Sequence, residues 1–317
     1  MKRFFMFAIA LLVVFSLAAC SSGDSKDPKQ IILATGGTSG TYYPLGGGIA
    51  QIITDNTDVS ATAQSTGASV ENMRLLKAGD IDLAFTQTDI ADYASNGTVM
   101  FEEGKVENLQ GIATLYNETI QIVVPANSDI SSVADLKGKK VSVGAPGSGA
   151  EANASQILEV YGLTFDDLKA EHLSFGDSAQ KIQDGNLDAA FLTAGAPTSA
   201  VTELSATKGV KLIPLDEDKI NELIEKYPFY VNEAIPADTY TDVGETTTVA
   251  VKAMLTVRSG LSEELVYEIT KSLFSNTDLL VTINAKAKSI SKENAVNGLS
   301  LDIHPGALKY YQEEGLK

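Results

Sequence analysis

One short pattern recurs along the chain and limits the folds that it can adopt. In the segments 31–53, 59–76 and 81–93, an apolar run is followed by a polar or glycine-rich loop and then by apolar residues at helical spacing. The apolar run predicts a strand, and apolar residues three and four apart predict a helix. Three strand and helix units in succession favour a largely parallel sheet with helices on its faces. The predicted fold class is therefore α/β.

The second half of the chain repeats features of the first. A turn, an acidic residue and a short buried strand occur at 78–85, and the same series occurs again at 184–192. Another predicted strand, at 141–143, ends in a glycine-rich loop and precedes a helix. Such similarity favours two lobes that are built alike and face one cleft.

A chain of 317 residues is long enough for two lobes, and we place their boundaries as follows. Lobe 1 comprises 30–117 and 230–317, and lobe 2 comprises 118–229. The chain first crosses between the lobes near 116–119, and a predicted strand at 249–257 returns it to lobe 1. Each lobe is predicted to hold a mixed, mainly parallel sheet flanked by helices.

The N-terminus has the layout of a secretory signal. Basic residues at positions 2 and 3 precede the apolar stretch 4–17, and two alanines precede Cys20. The apolar stretch is shorter than the roughly 20 residues that a spanning helix needs. The four residues LAAC at 17–20 resemble a bacterial lipobox, which implies cleavage after residue 19 and lipid on Cys20; an ordinary signal peptide is the alternative.

These features predict where the chain resides. Residues 1–19 form the signal and 20–29 form a polar tether. The body is exported and held by lipid at the outer face of the cell membrane, on the periplasmic side if an outer membrane exists. Because Cys20 is the only cysteine, no internal disulfide is expected.

The charge of the chain excludes one class of partner. Acidic residues number 41 and basic residues 24, which gives a formal net charge of −17. A nucleic-acid partner is therefore not expected. The diffuse negative field also repels anions, so selectivity for an anion would have to come from local donors. Beyond the signal the chain has two arginines: Arg74 is expected on the surface, whereas Arg258 either pairs with an acid or reaches the cleft.

Residues for catalysis are scarce. The chain has two histidines, His172 and His304, which we expect to be structural or surface residues and which do not suffice for a charge-relay trio or a histidine metal site. No phosphate-binding loop, dinucleotide fingerprint or nucleophile elbow is present. We predict neither enzymatic activity nor a cofactor, while calcium sites made of carboxylates remain open.

Four loops have the composition of a binding site. The loops 36–43, 65–69, 86–89 and 144–150 follow predicted strands and precede predicted helices. In an open parallel sheet, loops of this kind lie at the carboxyl ends of the strands, where ligands bind. Backbone amides at a helix start can hold a carboxylate without any arginine. Tyrosines in or near these loops suit either a cleft or the core.

The loop sequences together resemble a known family. The segments ATGGTSGTYYP at 34–44, STGASVEN at 65–72, DLAFTQTD at 82–89 and GAPGSG at 144–149 are similar, in order, to the TAXI family of solute receptors. The tail HPGA at 304–307 resembles the C-terminal signature of that family. The resemblance implies a two-lobed periplasmic-binding fold of type II. It also implies a receptor that serves the membrane permease of a tripartite ATP-independent (TRAP) transporter and binds glutamate, glutamine or another small organic acid.

The resemblance also implies which residues bind the solute. The expected ligand-binding residues are Ser39, Tyr42, Tyr43, Ala68, Ser69, Gln87, Thr88, Asp89, Tyr116, Ser148, Gly149 and Thr193. The chain departs from the family pattern at Ala150, where a threonine is common, so a glutamate specificity does not transfer directly.

Three functions compete at this point. The first is a monomeric transport receptor that closes on its solute and docks on a permease. The second is a sensory partner that presents the solute to a membrane kinase or chemoreceptor. The third is an exported enzyme on the same fold, for which candidate catalytic groups are lacking.

Overall fold

The computed structural model describes residues 27–317. The strands are β1 (Gln30–Ala34), β2 (Ser60–Gln64), β3 (Leu83–Gln87), β4 (Leu109–Pro125), β5 (Lys140–Ser142), β6 (Lys169–Glu171), β7 (Ala189–Ala194), β8 (Val210–Leu212), β9 (Val231–Ile235) and β10 (Thr246–Arg258). The helices are α1 (Tyr42–Asn56), α2 (Ser69–Ala78), α3 (Thr88–Asn96), α4 (Gly149–Val160), α5 (Phe175–Gln183), α6 (Ser199–Thr207), α7 (Glu217–Lys226), α8 (Glu263–Ser275), α9 (Thr277–Ile283) and α10 (Pro305–Glu313).

The predicted signal segment and Cys20 lie outside the described residues. Within 27–317, no helix is long and apolar enough to cross a membrane.

Two long strands join the halves of the molecule. The sheet has the order β2-β1-β3-β10-β4-β7-β5-β6, with β8 paired to β4 and β9 paired to β10. The strands β1, β2 and β3 pair in parallel at one end, and β5, β6 and β7 pair in parallel at the other. Between them, β4 and β10 run antiparallel to each other and contribute to both ends. The predicted two-lobed α/β fold with a mixed sheet flanked by helices is confirmed. Among residues 27–317 the sheet has four parallel and five antiparallel strand pairings, so it is not mainly parallel.

Helices cover both faces of the sheet in each half. In the first half, α1 and α8 bury Leu45, Ile49 and Val266 on one face, and α2 and α3 bury Met73 and Ile90 on the other. The second half has two further apolar clusters of the same kind. This layered burial is what the apolar spacing predicts, because each helix presents one apolar stripe to the sheet.

The first crossing, which we place near 116–119, has strand structure. It lies inside β4, which is continuous over 17 residues. The crossing is thus an extended strand, and its partner over much of this length is β10.

Residue 230, where we place the return to lobe 1, packs within the second half. Tyr230 is buried in the core of the second half, beside Val249 and Val251. The strand β9 pairs with the first residues of β10, and Ile235 and Tyr240 belong to another apolar cluster of that half. The lobe boundaries stay a prediction, and we propose to move the second of them from residue 230 into β10.

The loop predicted at 86–89 is absent, and that prediction is wrong. The strand β3 continues through Thr86 and Gln87, which pair with Met254 and Ala253 of β10. Helix α3 begins directly afterwards at Thr88, and Gln87 is its N-cap residue with extended backbone. Pairing with a strand from a distant part of the sequence therefore replaced a loop that local composition favoured.

Two polar contacts of the first half involve acidic side chains, one with Arg258 and one with Ser262. The guanidinium of Arg258 donates from Nε to Oδ1 of Asp82 at 2.7 Å, and Oδ2 of Asp82 accepts the amide of Ile32 at 2.9 Å. Of the two alternatives for Arg258, pairing with an acid or reaching the cleft, the structure therefore shows the first. Ser262 caps α8 as predicted, and its own amide donates to Asp27 at 2.8 Å, so ordered contacts begin before the predicted end of the tether.

Candidate functional site

A cavity of about 80 Å3 lies between the two halves, at the carboxyl ends of the parallel strands. It is lined by Gly36, Gly37, Gly40, Thr41, Tyr42, Thr66, Gly67, Ala68, Ser69, Gln87, Glu118, Ala145, Ser148, Gly149, Ala150, Ser174, Phe175, Thr193 and Ala194. Its position is the one expected for a ligand site in an open α/β sheet.

Four helices begin at the cavity wall. From the first half, α1 and α2 begin at Tyr42 and Ser69; from the second half, α4 and α5 begin at Gly149 and Phe175. Each helix start carries partial positive charge and amides that the helix itself cannot satisfy. The arrangement can bind an anionic group with backbone donors, and the lining contains no arginine, lysine or histidine.

Serine hydroxyls cap the two helices of the second half. Ser148 Oγ accepts the amide of Glu151 at 3.0 Å, and Ser174 Oγ accepts the amide of Asp177 at 3.2 Å. Ala150 lines the cavity, so the methyl group that stands in place of the common threonine faces this space.

Seven of the predicted site residues line the cavity. They are Tyr42, Ala68, Ser69, Gln87, Ser148, Gly149 and Thr193. Their shared feature is a position at a strand end or a helix start, which is the signal that the loop pattern carried.

The other five predicted residues lie elsewhere. Ser39 lines a neighbouring groove rather than the cavity, and Tyr43 is exposed on the outer side of α1. Thr88 and Asp89 are buried behind the wall, because α3 turns them away directly after β3. Tyr116 is also buried outside the lining.

Sequence reasoning missed several lining residues. Glu118 lies in the middle of β4 and was assigned only to the crossing; Ser174 and Phe175 begin α5 in a segment with no glycine-rich loop. Ser174, followed three residues later by Asp177, is a helix N-cap signal, and this signal could have identified Ser174 and Phe175 from the sequence. No local signal identifies Glu118.

Glu118 and Gln87 form a buried polar pair at the cavity floor. Gln87 Nε2 donates to Glu118 Oε2 at 3.0 Å and to Asn153 Oδ1 at 3.2 Å. Because Asn153 Nδ2 donates to Asp89, Asn153 Oδ1 is an acceptor, and the orientation of the Gln87 amide follows from it. Among residues 27–317, Gln87 Oε1 and the hydroxyls of Tyr42 and Tyr116 are buried without a hydrogen-bond partner.

Burial controls the charge of Glu118. Removal of the carboxyl group from water raises the pKa of Glu118 from 4.5 to about 8. In the ligand-free protein this carboxyl group is therefore mostly protonated at neutral pH.

The raised pKa predicts how stability depends on pH. Below about pH 4.5 the group is protonated in both the folded and unfolded chains, and the stabilisation from its raised pKa is fully present. It is lost as pH rises toward about 8, because the unfolded chain releases the proton first. For the ligand-free protein, the free energy of unfolding of Glu118→Gln relative to wild type should increase between pH 4.5 and 8.5, by on the order of a few kcal/mol. Urea unfolding at several pH values measures this, and parallel curves for the two proteins would contradict it.

The two halves touch across the cavity. The amides of Val70 and Glu71, in the first turn of α2, both donate to the carbonyl oxygen of Gly147 at 3.1 Å. Thr41 Oγ1 donates to the carbonyl oxygen of Gly195 at 3.4 Å. The structure therefore has the lobes closed on each other.

A buried network behind the cavity also links the halves. Asn153 of α4 donates to Asp89 Oδ2 at 3.1 Å and to the Tyr230 hydroxyl at 2.8 Å. That hydroxyl in turn donates to Gln156 at 2.6 Å. Burial raises the pKa of Asp89 to about 6. Asp89 thus has a role in the contact between halves rather than in the lining.

One asparagine organises the loops of the first half. Asn72 Nδ2 donates to the carbonyl oxygens of Thr35 at 2.6 Å and Phe85 at 2.8 Å, and its Oδ1 accepts the Thr66 hydroxyl at 2.6 Å. Thr35 directly follows β1, Phe85 is the middle residue of β3, and Thr66 lies in the loop after β2. Asn72 is fully buried, and it positions the segments that carry Tyr42, Ala68 and Gln87.

The histidines have no part in the cavity. His304 is buried and caps α10, with Nδ1 accepting the amide of Gly306 at 3.2 Å. His172 pairs with Glu151 at 2.8 Å and is partly exposed. Among residues 27–317, no group of three histidine, cysteine or acidic side chains could hold a metal ion.

Comparison with known proteins agrees with this geometry. The arginine-binding extracellular protein ArtP of Bacillus subtilis (strain 168) is 27% identical over 199 residues, which cover 61% of this chain and 73% of that protein. Among solved structures, PhnD1 from Prochlorococcus marinus (MIT 9301) in complex with methylphosphonate has a TM-score of 0.56 at 12% identity, covering 92% of this chain and all of that one. The alkanesulfonate-binding protein SsuA from Xanthomonas axonopodis pv. citri, bound to MOPS, has a TM-score of 0.51 at 14% identity, covering 92% and 95%.

These structural likenesses show the fold, which is that of two-lobed periplasmic binding proteins. The model of the NMT1-like family matches residues 33–315, which is nearly all of the described chain. A protein with this fold, this cavity and this match belongs to the NMT1-like family.

Proposed function

We propose that this protein is the extracytoplasmic solute-binding component of an uptake system, which closes on a small carboxylate-bearing solute and delivers it to a membrane permease. The observation that carries the proposal is the cavity between two touching halves, bordered by four helix starts and floored by buried polar side chains. Closure around a solute buries it and distinguishes the loaded receptor from the free one.

The wall of the cavity favours an anionic group on the solute. Without a basic side chain in the lining, the positive ends of α1, α4 and α5 supply the complementary charge, since the first amides of α2 already donate to Gly147. The structural relatives described as bound to methylphosphonate and MOPS carry anions in the same fold, and ArtP is described as binding an amino acid. Glutamate, glutamine and other small organic acids fit this class.

The proposal includes a membrane partner and an anchor. The resemblance to TAXI receptors favours the permease of a TRAP transporter, and the lipobox-like sequence favours attachment through lipid on Cys20. The competing partner is an ATP-driven permease. A sensory role, with a membrane kinase or chemoreceptor in place of the permease, uses the same cavity; a knockout that loses signalling but retains uptake of the solute would favour it.

The test is mass spectrometry of small molecules released by denaturing protein that was purified without chelator or dialysis, followed by calorimetry with each hit. We expect a carboxylate-bearing solute at near one per chain, with a dissociation constant in the micromolar range or below. If no solute is released, and no amino acid or organic acid gives heat or a thermal shift, the receptor function is rejected.

A further inference from the structure

Asn153 connects the two halves without bordering the cavity. It lies on α4 of the second half, is fully buried and does not belong to the lining. Its Oδ1 accepts Gln87 Nε2 of the first half at 3.2 Å, and its Nδ2 donates to Asp89 Oδ2 of the first half at 3.1 Å. The same Nδ2 donates to the Tyr230 hydroxyl of its own half at 2.8 Å. One amide group therefore holds both β3 and α3 of the opposite half.

The contact around Asn153 is buried on both sides. Gln156 of α4 donates to the Tyr93 hydroxyl of α3 at 3.2 Å. The ring of Tyr93 meets the ring of Phe229 edge to face, with 5.9 Å between the centroids. Asp89, Tyr93 and Gln156 each expose 7% or less of their surface. A polar group that lost its partner in this contact would stay shielded from water, and such a loss destabilises the arrangement that buries it.

We propose that Asn153 is a positioning residue that holds the halves closed and couples closure to the floor of the cavity. The inference rests on the proposed receptor function and deepens it. Gln87 makes the connection, because it lines the cavity and its amide donates to both Glu118 and Asn153. Asn153 acts on the site through Gln87 and does not touch the solute.

The amide of Asn153 affects the closed state more than the open one. Asp89 Oδ1 accepts the amide of Ile90 in its own helix at 2.9 Å, whereas Oδ2 accepts Asn153 Nδ2. Without that amide, the closed state buries a carboxyl oxygen whose donor has been removed. When the halves separate, water solvates the same oxygen. Loss of the amide should therefore shift the equilibrium toward the open state.

The chemistry of positions 89 and 153 can be exchanged, because Asn and Asp have the same shape. Asn153→Asp alone makes closure bring two carboxyl groups together. Since burial raises the pKa of Asp89 only to about 6, that group is ionised at pH 8, and the pair repels or must take up a proton. Asp89→Asn combined with Asn153→Asp restores one donor and one acceptor and leaves the net charge unchanged. The carboxylate at position 153 still accepts Gln87 Nε2.

A disulfide can report closure at a place outside both the cavity lining and the Asn153 contact. Ser39 belongs to the first half and Gly176 to α5 of the second, and a Cβ at position 176 would lie 3.7 Å from Cβ of Ser39. This separation suits a disulfide. With Ser39→Cys and Gly176→Cys in the mature protein, and Cys20→Ser to remove the other thiol, the bond forms when the halves meet. Its rate of formation therefore follows the closed population.

The experiment measures formation of this disulfide at pH 8 in protein freed of solute by unfolding in urea and refolding. Copper phenanthroline is the oxidant, and mass spectrometry is the readout. We expect Asn153→Ala and Asn153→Asp each to slow the bond at least tenfold, and the exchange of positions 89 and 153 to return the rate to within threefold of the parent. Asn221→Asp, at an exposed position of α7 in the same half, is the control and should change the rate less than twofold.

Urea unfolding of each variant separates this role from a purely structural one. A role in folding alone would lower the unfolding midpoint and leave the rate of disulfide formation in the folded protein unchanged. The inference is overturned if Asn153→Asp forms the disulfide at the parent rate, or if the exchanged pair is as slow as Asn153→Asp. Should Asn153→Asp fail to fold, the exchanged pair decides alone, and a rate tenfold below the parent overturns the inference.

The test does not depend on the receptor test. Disulfide formation needs no solute, so a protein that releases and binds no solute would lose the receptor function while this measurement still decides the role of Asn153. Conversely, an unchanged rate in Asn153→Asp rejects the role of Asn153 and leaves a released solute as evidence for the receptor.

Discussion

Alanine at position 149 should weaken solute binding by at least 100-fold, which is about 2.7 kcal/mol. Gly149 is the first residue of α4, and a Cβ there would overlap Oε1 and Cδ of Gln87 and lie 2.8 Å from its Nε2. Gln87 belongs to the other half, and its amide donates to Glu118 and to Asn153 of α4 itself. The extra methyl group therefore requires Gln87 to abandon both bonds or the halves to stay apart.

The effect should be specific to the closed state. In a separated arrangement the methyl group meets no neighbour from the other half, so thermal stability without solute should change little. Small-angle X-ray scattering should show that solute no longer reduces the radius of gyration of the variant. Gly47→Ala is the control, because a Cβ at Gly47 in α1 meets nothing within 4 Å. Binding within threefold of wild type for Gly149→Ala would show that Gln87 yields to the methyl group and that this contact does not limit closure.

Replacement of Asn72 by alanine should lower the free energy of unfolding by about 3 kcal/mol. The variant removes the amide donor from the carbonyl oxygens of Thr35 and Phe85 and the 2.6 Å acceptor of the Thr66 hydroxyl, which keeps only its longer 3.1 Å contact with the Thr35 carbonyl oxygen. An unsatisfied buried polar group costs roughly 1 to 3 kcal/mol. The better helix propensity of alanine offsets only a small part of this loss.

Urea unfolding measures this prediction through the midpoint at constant slope. Asn72→Asp should be at least as destabilised at pH 7, because a carboxylate would face two carbonyl oxygens. Asn221→Ala, at an exposed position of α7, is the control and should stay within about 0.5 kcal/mol of wild type. A loss below 1 kcal/mol for Asn72→Ala would mean that water replaces the amide and that the loops do not depend on it.

The composition of single segments was sufficient to predict several features of the structure. Apolar spacing predicted the helices that cover the sheet, and the glycine-rich loops predicted that Tyr42, Ser69 and Gly149 border one cavity. These signals are local: a helix needs an apolar stripe, and a helix start at the carboxyl end of a strand needs small residues. The capping serine at 262 is local for the same reason, since its partner is the amide of Leu265.

Other features depended on contacts between distant segments. The strand β3 extends through Gln87 because β10, from the other end of the chain, pairs with it. Asp89 lies behind the cavity because the helix begins one residue after the strand ends. Tyr230 packs with the second half because β9 pairs with the first residues of β10.

The sequence by itself determined the fold class, the repeated strand and helix units and the place of the cavity at the helix starts, because each depends on residues close together in the chain. Tertiary structure alone decided that Glu118 becomes a buried acid on the cavity floor. Its neighbours in sequence lie along a strand, whereas Gln87 is 31 residues away and reaches it only through the sheet. The charge of such a group is set by burial, and burial is a property of the assembled fold.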